Sequence, residues 1–420
     1  MRSPVLAPFR IRNYRFQWPA DLLTSWAFEM ETLILGWYIL VETGSVLLLT
    51  LFAALQFLGT LISPMFGVAG DRIGHGLLLC IMRTVYLALS ATLAVIIFYG
   101  AATPLIVLVV AGALGCVRPS DLAVRSSLIA ETMPPQDLMG AMSLSRTTQD
   151  TARIVGALAG AALFAALGLT IAYAIVATLY ALGLALTICV VTMARAERPK
   201  LDAGTAAVAA VRPTLWRDLH EGMAYVWTTP QLLAAMWLAF LVNLTAYPFT
   251  NGLLPYVARE VYRIDQTGLG YLIASFAAGA IIASIGMSFA ASRLWPARMM
   301  IVFAAAWYVL LLMFGQAETA PAGTALLALA GFAQGMSLVP LQVMLLRNSS
   351  VQLRGRVMGV RMLAIYGLPV GLLAAGVLIE RIGFSNTVTL YAGIGLACVL
   401  LIAAHWRADL WPVQAPANAR

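Results

Sequence analysis

Apolar segments of about one membrane crossing recur along nearly the whole chain of 420 residues, which is 61% hydrophobic and 10% charged. A helix needs about 20 apolar residues to cross roughly 30 Å of hydrocarbon. Because a helix satisfies its own backbone hydrogen bonds in lipid, this pattern predicts an all-α integral membrane protein. The twelve predicted spans are 17–40, 46–69, 77–99, 104–130, 138–165, 168–193, 230–257, 266–291, 298–315, 321–346, 357–380 and 384–405.

The basic residues are sorted between the two sets of connecting loops. The sequence has 25 Arg and one Lys, Lys200, and a net charge of +8; the N-terminal arm, the central loop and the 346–357 connection hold twelve of these basic residues, whereas the opposite loops hold few. Cytoplasmic loops of membrane proteins carry such an excess. We therefore expect both termini to be cytoplasmic in a multi-pass protein of the cell (inner or plasma) membrane. Basic residues sorted in this way do not form one soluble face, so no nucleic-acid partner is expected.

The only long polar connection, residues 194–229, divides the spans into six and six. Its second part, Trp216 to Trp227, has the pattern of a short amphipathic helix at the membrane surface. The predicted parts are an N-terminal half (1–193), this cytoplasmic loop, a C-terminal half (230–405) and a cytoplasmic tail (406–420). Leu138-Met139-Gly140 and Val357-Met358-Gly359 begin corresponding spans of the two halves and suggest a weak internal repeat.

A glycine-rich turn joins the second and third spans. The segment 67–74, GVAGDRIG, resembles the G-x-x-x-D-R-x-G signature of the major facilitator superfamily through Gly67, Asp71, Arg72 and Gly74. The resemblance implies a transporter of twelve helices in two halves, with these residues at a cytoplasmic gate. His75 and Gly76 follow where the family usually has basic residues, which predicts that the basic part of this gate is weakened.

Three further segments narrow the resemblance. MPPQDL at 133–138, LWRD with EG in 215–222, and LRGRVMG at 353–359 resemble the branch with enterobactin exporters and macrolide-type efflux proteins. This resemblance implies proton-coupled efflux, and Arg125 and Arg153 match basic positions common in the branch. Arg125 and Arg146 lie toward the cytoplasmic ends of their spans, and we expect them, with Arg354 and Arg356, among the gate residues. In the fifth span Gly156 and Gly160 keep two glycines of an exporter motif without its proline, and they still allow close helix packing.

Two neighbouring apolar spans carry charges, which are rare inside membrane helices and usually face a partner or a wet cavity. The spacing puts each set of three on one helix face, so that each Asp can lie between arginines of its own helix or of the other. The surplus positive charge needs a partner, which the acids of the first span can supply, and it hints at an anionic cargo only if Glu29 does not absorb it. The two sets are Arg118, Asp121 and Arg125 in the fourth span and Arg146, Asp150 and Arg153 in the fifth.

The first span adds the acids Asp21, Glu29 and Glu31. Glu31 lies about 200° around the helix from Glu29, so both cannot point at one cavity. We place Glu29 on the cavity side, continuing an Asp21–Ser25 stripe, and Glu31 against a neighbouring helix; the opposite assignment stays open.

Two interpretations of these charges remain. In the functional one, Asp150, Asp121 and Glu29 include a proton carrier, and Arg118 or Arg153 tunes it and contacts cargo. In the structural one, static ion pairs lock the cytoplasmic ends of the fourth and fifth helices.

The second half offers neutral candidates for a substrate cavity. No acid lies in the middle of its spans, and its neutral cavity candidates are Asn243, Thr245, Thr250 and Asn251 in the seventh span and Gln334 and Gln342 in the tenth. Pro248, Gly252 and Pro255 break the seventh span and predict a kinked helix.

Among functions, a secondary exporter of an amphiphilic small molecule, driven by protons and working by alternating access, is the leading hypothesis. An uptake symporter would use the same charges, and a sensor or scaffold that retains the fold is a third possibility. An enzyme is not expected, because the carboxylates stand singly among arginines. The four Cys lie in apolar spans without a CxxC, and the three His lie at span ends or in loops, so no metal, cofactor or intramembrane histidine relay is predicted. The protein is expected to be a monomer in the lipid bilayer.

Overall fold

The computed structural model describes residues 8–60, 62–197, 215–290, 295–349 and 353–410, and in these ranges it contains helices and no strand. The all-α prediction is therefore confirmed for the described part of the chain. Residues 198–214 of the predicted central loop and residues 411–420 of the tail lie outside the described residues. The surroundings of the predicted gate residues Gly67 and Arg354 are not described either.

Sixteen α-helices follow one another in the described chain. They are α1 Arg12–Thr43, α2 Val46–Leu55, α3 Ser63–Ile73, α4 His75–Phe98, α5 Pro104–Thr132, α6 Pro135–Glu197, α7 Leu215–Thr228, α8 Pro230–Thr245, α9 Leu254–Tyr256, α10 Gln266–Ala290, α11 Pro296–Gly315, α12 Ala320–Arg347, α13 Arg354–Ala364, α14 Gly367–Ile382, α15 Phe384–His405 and α16 Arg407–Leu410.

Eight stretches of the described helices are long and apolar enough to cross a membrane, or nine if a bent pair counts as one span. Together the eight contain nine of the twelve predicted spans, because the stretch Gly140–Met193 covers the fifth and sixth. The sequences of the other three predicted spans explain why they are not among these eight stretches. The first, in α1, carries three acids; the second is interrupted between α2 and α3; the seventh is broken after the 16 residues of α8.

A glycine marks the turn between the fifth and sixth spans. Within α6, Gly168 has φ 75° and ψ 177°, which is not helical. A residue with a Cβ rarely adopts this positive φ, whereas glycine adopts it readily. Gly168 therefore reverses the chain between two antiparallel spans without a longer loop, at the boundary predicted from the sequence.

The seventh span is irregular, as its prolines predicted. After α8 the chain forms a π-helical turn at Pro248–Gly252, the single turn α9, and a second π-helical turn at Val257–Val261. A proline removes a backbone donor and clashes with the preceding turn, and π-helical turns of this kind often accompany functional sites. The prediction of a broken seventh helix is confirmed. At its other end α8 meets α7 at an angle of 111°, so α7 does not continue the span.

The chain divides into two compact units. The first contains residues 1–212 together with 255–274, and the second contains residues 213–254 and 275–420. In the first unit, the 255–274 segment packs on the N-terminal helices: Arg259 donates a hydrogen bond to the carbonyl of Leu40, and a Cβ on Gly270 would lie 2.7 Å from Cβ of Ala161.

Each unit contains a crossing where two helices touch backbone to backbone. In the first unit, a Cβ on Gly59 would overlap the carbonyl of Cys116, and one on Gly115 would overlap that of Leu55. In the second, Gly279 faces the carbonyl of Ala328 and Gly331 that of Phe276 in the same way. We call these two contacts the reciprocal glycine crossings. The steps along the chain from Gly59 to Gly279 and from Gly115 to Gly331 nearly equal the step between the two copies of the weak sequence repeat.

Candidate functional site

Asp21 of α1 lies at the centre of a buried ion cluster in the first unit. Its Oδ1 accepts a hydrogen bond from Arg83 and lies 3.4 Å from Nε of Arg125, while Nη2 of Arg125 donates to Oδ1 of Asp121 at 2.5 Å. We call these four residues the Asp21 cluster. Two guanidinium groups and two carboxylates from α1, α4 and α5 cancel, which is what a buried charge cluster requires in a medium of low dielectric constant.

Neutral groups complete the Asp21 cluster. Arg83, only 1% exposed, also donates to the hydroxyl of Thr187 on α6, and Arg125 donates to Oγ of Ser25 at 3.2 Å. Tyr14 precedes the predicted first span. Its burial, and to a smaller extent the charge of Asp21, raise the pKa of its hydroxyl, which donates a hydrogen bond to the carbonyl of Ala141 at 3.2 Å. The cluster thus joins four helices of the unit.

Glu31 forms a second buried cluster further along α1. Its Oε1 accepts from the Tyr173 hydroxyl at 2.5 Å, and its Oε2 accepts from the Tyr180 hydroxyl at 2.8 Å and from Arg118. Arg118 also lies 3.4 Å from Oε1 of Gln56. We call Glu31, Arg118, Tyr173, Tyr180 and Gln56 the Glu31 cluster. Both oxygens of Glu31 are hydrogen-bonded, and the side chain is 1% exposed, so the ionised form is fully satisfied.

Two looser ion pairs lie on α1 and α6. Nε of Arg153 is 3.8 Å from Oε1 of Glu29, and Nε of Arg146 is 3.6 Å from Oδ2 of Asp150. The side chains are 42% exposed for Arg153 and 20% for Glu29, in contrast to the two buried clusters. A Cβ on Gly156 would lie 2.8 Å from Cβ of Glu29, so the absence of a side chain there allows Glu29 to lie against α6.

The acids of α1 therefore do not form one stripe. Asp21 and Ser25 contact Arg125 on α5, and Glu29 contacts Arg153 on α6. Glu31 contacts a different arginine of α5, Arg118. Positions i, i+4 and i+8 rotate by about 40° per step, which is enough to direct the three side chains to different neighbours. The sequence left open whether each Asp of the fourth and fifth spans pairs with an arginine of its own helix or of the other. In the structure each pairs within its own helix, Asp121 with Arg125 and Asp150 with Arg146.

The structure shows one more charged residue in the ion clusters of the first unit than the sequence reasoning considered. Arg83, in the third span, was missed by the sequence reasoning, although an arginine inside an apolar span is itself the signal. Five arginines of the spans now meet five carboxylates, and each arginine lies within 4 Å of one of them. Glu29 does absorb positive charge, so the hint of an anionic cargo loses its support.

The predicted gate turn is held by a histidine. Asp71 and Arg72 end α3 with exposed side chains, Gly74 has φ 91°, and His75 begins α4. The ring of His75 is 2.6 Å from Oε1 of Glu131 through Nδ1 and 3.7 Å from Oδ1 of Asp71 through Nε2. The expectation of a weakened basic part overlooked this contact, because the partner Glu131 lies far along the chain, at the end of α5.

Replacing His75 with alanine is expected to destabilise this turn, because Glu131 loses the ring nitrogen that lies 2.6 Å from its carboxylate. A hydrogen bond of this kind contributes about 0.5–1.5 kcal/mol to stability. Thermal unfolding of purified wild-type and His75→Ala proteins at one fixed pH measures the loss, with His220→Ala as a control at an exposed histidine. Equal unfolding temperatures for wild type and His75→Ala would contradict the prediction.

The other predicted gate residues lie in different places. Arg125 belongs to the Asp21 cluster, and Arg146 pairs with Asp150. In the second unit, Arg356 pairs with Glu221 and so joins α13 to α7. A Cβ on Gly222 would lie 3.0 Å from Cβ of Arg356, which shows how closely the two helices approach.

The neutral candidates of the second unit have separate partners. Nε2 of Gln334 donates to the Tyr247 hydroxyl at 2.7 Å, and the Tyr247 ring meets Trp307 edge-on at 5.3 Å. With its amide oxygen turned toward Arg361, Gln342 accepts from both Nη atoms at 3.1 and 2.8 Å. Arg361 is a charge in the eleventh span that the sequence reasoning did not include.

The two asparagines have different surroundings. The amide of Asn243 donates to the carbonyl of Ala239 on its own helix at 2.8 Å, and its Cβ packs beside Gly367. Asn251 is half-buried in the first π-helical turn. Gln334 and Tyr247 thus form a side-chain contact next to the broken part of the seventh span.

A helical membrane protein with ion clusters inside its spans and a Gly-Asp-Arg turn between two of them belongs to the class of multi-pass transporters. The sequence model of the Major Facilitator Superfamily matches residues 18–369 and 236–418. The chain therefore belongs to the Major Facilitator Superfamily.

Solved structures share this fold. A variant of the nucleoside transporter NupG has a TM-score of 0.72 at 14% identity, covering 93% of this chain and 98% of that one. The POT family transporter PepTSo has a TM-score of 0.72 at 12% identity, covering 96% of this chain and 99% of that one. The human organic anion transporter MFSD10 has a TM-score of 0.64 at 16% identity, covering 94% and 99%. At these identities the likeness shows the fold alone, and no curated protein matches the chain.

Proposed function

We propose that the protein is a secondary active transporter that exports an amphiphilic small molecule in exchange for protons by alternating access. The observation that carries the proposal is the loose pair of Glu29 and Arg153, whose Oε1 and Nε atoms lie 3.8 Å apart and whose side chains are partly exposed. Ionisable residues within membrane spans usually face a bundle interior or a wet cavity rather than lipid. This pair can therefore gain or lose a proton without dismantling a buried cluster.

The proton carrier is proposed among Glu29, Asp121 and Asp150, with Glu29 first. Asp21 and Glu31 are enclosed in their clusters, where protonation would leave buried guanidinium groups without a counter-charge. Asp121 shares Arg125 with Asp21, and Asp150 pairs with the largely exposed Arg146. Glu29 combines partial burial with a single guanidinium contact, so release of that contact favours the protonated acid.

Efflux is supported by the resemblance of segments 133–138 and 353–359 to the enterobactin and macrolide efflux branch. The distribution of arginines supports a cell-membrane location with both termini in the cytoplasm. The partners are then protons, one small molecule and the bilayer, and the protein acts as a monomer. The neutral residues Gln334, Gln342, Asn243 and Asn251 are proposed for the cargo path in the second half.

Inside-out vesicles test this function. Respiration acidifies the lumen, a quenched dye reports the gradient, and siderophores, macrolides and lipophilic cations are added one by one. We expect one compound to restore fluorescence in wild type and Glu29→Gln to abolish that response, because the variant cannot exchange a proton at this position. If Glu29→Gln responds like wild type, the same assay is applied to Asp121→Asn and Asp150→Asn, and the variant that loses the response identifies the carrier. Glu42→Gln, at an exposed acid near the end of α1, is the matched control.

No response to any compound would count against proton-driven export. Accumulation of cargo driven by protons moving in the same direction would instead identify an uptake symporter. A normally folded protein that moves neither protons nor cargo would support the sensor or scaffold alternative.

A further inference from the structure

The pair of Glu29 and Arg153 differs from every other ion pair within the described spans of the first unit. Arg83, Arg118 and Arg125 are each at least nine-tenths buried and hold several polar partners. The Arg146 side chain is 66% exposed, so its charge is largely hydrated. Only Glu29 and Arg153 combine opposite charges, partial burial and one long contact of 3.8 Å.

Such a pair sets a condition on the charge of any ligand that enters it. A purely cationic ligand that takes Glu29 leaves Arg153 without its carboxylate, and a purely anionic ligand that takes Arg153 leaves Glu29 unpaired. Each of these ligands satisfies only one of the two charges. A ligand with both charges can pair with both residues at once, and the occupied site is then neutral.

A third group lies on the same face of α1. Nε1 of Trp26, three residues before Glu29, is buried and has no hydrogen-bond acceptor among the described residues. Buried indole N–H groups usually have a partner. An aromatic ring with an unused donor, three residues before Glu29 on the same helix, suits a ligand that has an apolar body and two opposite charges.

We propose that the cargo of the transport function proposed above is a zwitterion, with its cationic group at the Glu29 carboxylate and its anionic group at the Arg153 guanidinium. A proton from water first neutralises the Glu29 carboxylate, which releases Arg153 for the anionic group of the cargo. When the cationic group then binds at Glu29, that proton leaves to water, so one positive charge is exchanged for another and the cargo pairs with both residues.

Gly156 is a positioning residue for this site. A Cβ at Gly156 would lie 2.8 Å from Cβ of Glu29, whereas a Cβ at Gly160, one turn along, would lie 3.0 Å from Cα of Met30. Both glycines hold α6 against α1, but only Gly156 sets the place of the acid. Gly156→Ala should therefore lower zwitterion affinity, and Gly160→Ala serves as the packing control that keeps it.

The test uses aromatic amino acids and dipeptides in three matched forms. The free compound is a zwitterion, its methyl ester is a cation, and its N-acetyl derivative is an anion on the same skeleton. Binding to the purified full chain is measured by the shift in thermal unfolding, and proton exchange by the vesicle assay. We expect at least one zwitterion to bind, and its ester and acetyl forms to bind about tenfold or more weakly.

The two charge variants assign the contacts. Arg153→Gln should bind the ester as well as the zwitterion, and Glu29→Gln should bind the acetyl form as well as the zwitterion. An ester or acetyl form that binds wild type as tightly as its zwitterion would overturn the proposal, and so would a panel in which no zwitterion binds. Proton exchange driven by a cationic ester alone would overturn the zwitterion assignment and leave the proposed exporter standing. Absence of exchange with this panel and with the drug panel would count against both.

Discussion

Replacing Glu31 with alanine is expected to lower the free energy of unfolding by about 3–5 kcal/mol, because it leaves the buried Arg118 without its carboxylate. Arg118 is 9% exposed, and Glu31 is the only carboxylate within 4 Å of it among the described residues. The Tyr173 and Tyr180 hydroxyls also lose their acceptor. Thermal unfolding in detergent, followed by tryptophan fluorescence, measures the loss.

The double variant Glu31→Gln/Arg118→Gln separates charge from packing. With both charges removed, the remaining polar groups can still hydrogen-bond, so most of the lost stability should return. Glu29→Ala is the matched control on the same helix, and its effect should stay below about 1 kcal/mol because its pair is partly exposed. If Glu31→Ala and Glu29→Ala prove equally mild, the Glu31 cluster does not stabilise the fold as we infer.

Gly331→Ala is expected to cost about 3 kcal/mol or more, since its Cβ would overlap the carbonyl oxygen of Phe276 on the facing helix. Backbone cannot move aside as a flexible side chain can, so α10 and α12 would have to separate. The loss appears as a lower unfolding temperature of the purified protein. Gly115→Ala, at the crossing of the first unit, should have a similar effect because it faces the carbonyl of Leu55.

Gly286→Ala is the control for this pair. Gly286 lies on α10, and a Cβ added there would have nothing within 4 Å, so alanine gains helix propensity of about 1 kcal/mol and meets no obstacle. Equal stability of Gly331→Ala and Gly286→Ala would mean that the two backbones are not in contact.

Most of the fold could be predicted from the sequence, because span length and turn chemistry are local properties. The boundary at Gly168 and the broken seventh span both follow from residues that act on their own backbone. The interruption of the second span between α2 and α3 was missed, although Pro64, at the start of α3, is the local signal that marks it.

The site was less predictable, because a side chain's partner depends on how each helix is rotated and which helix lies beside it. The charges of α5 and α6 were visible in the sequence, but their partners on α1 are distant in the chain. Arg83 was visible as well, yet its position in an otherwise apolar span does not name its partner. The contact of His75 with Glu131 depends on where α4 begins and α5 ends, and no local pattern records that.

The reciprocal glycine crossings bear on the origin of the two halves. At each crossing a carbonyl oxygen occupies the space of the missing side chain, so the position admits glycine and nothing larger. If one ancestral half was duplicated, both copies had to keep these crossings to keep their shape, while the residues lining the helices were free to diverge. The first copy has five paired arginines within its spans, and the polar candidates in the second are mainly amides. One ancestral scaffold would then have diverged into a half rich in ion pairs and a half whose polar contacts are mainly neutral hydrogen bonds.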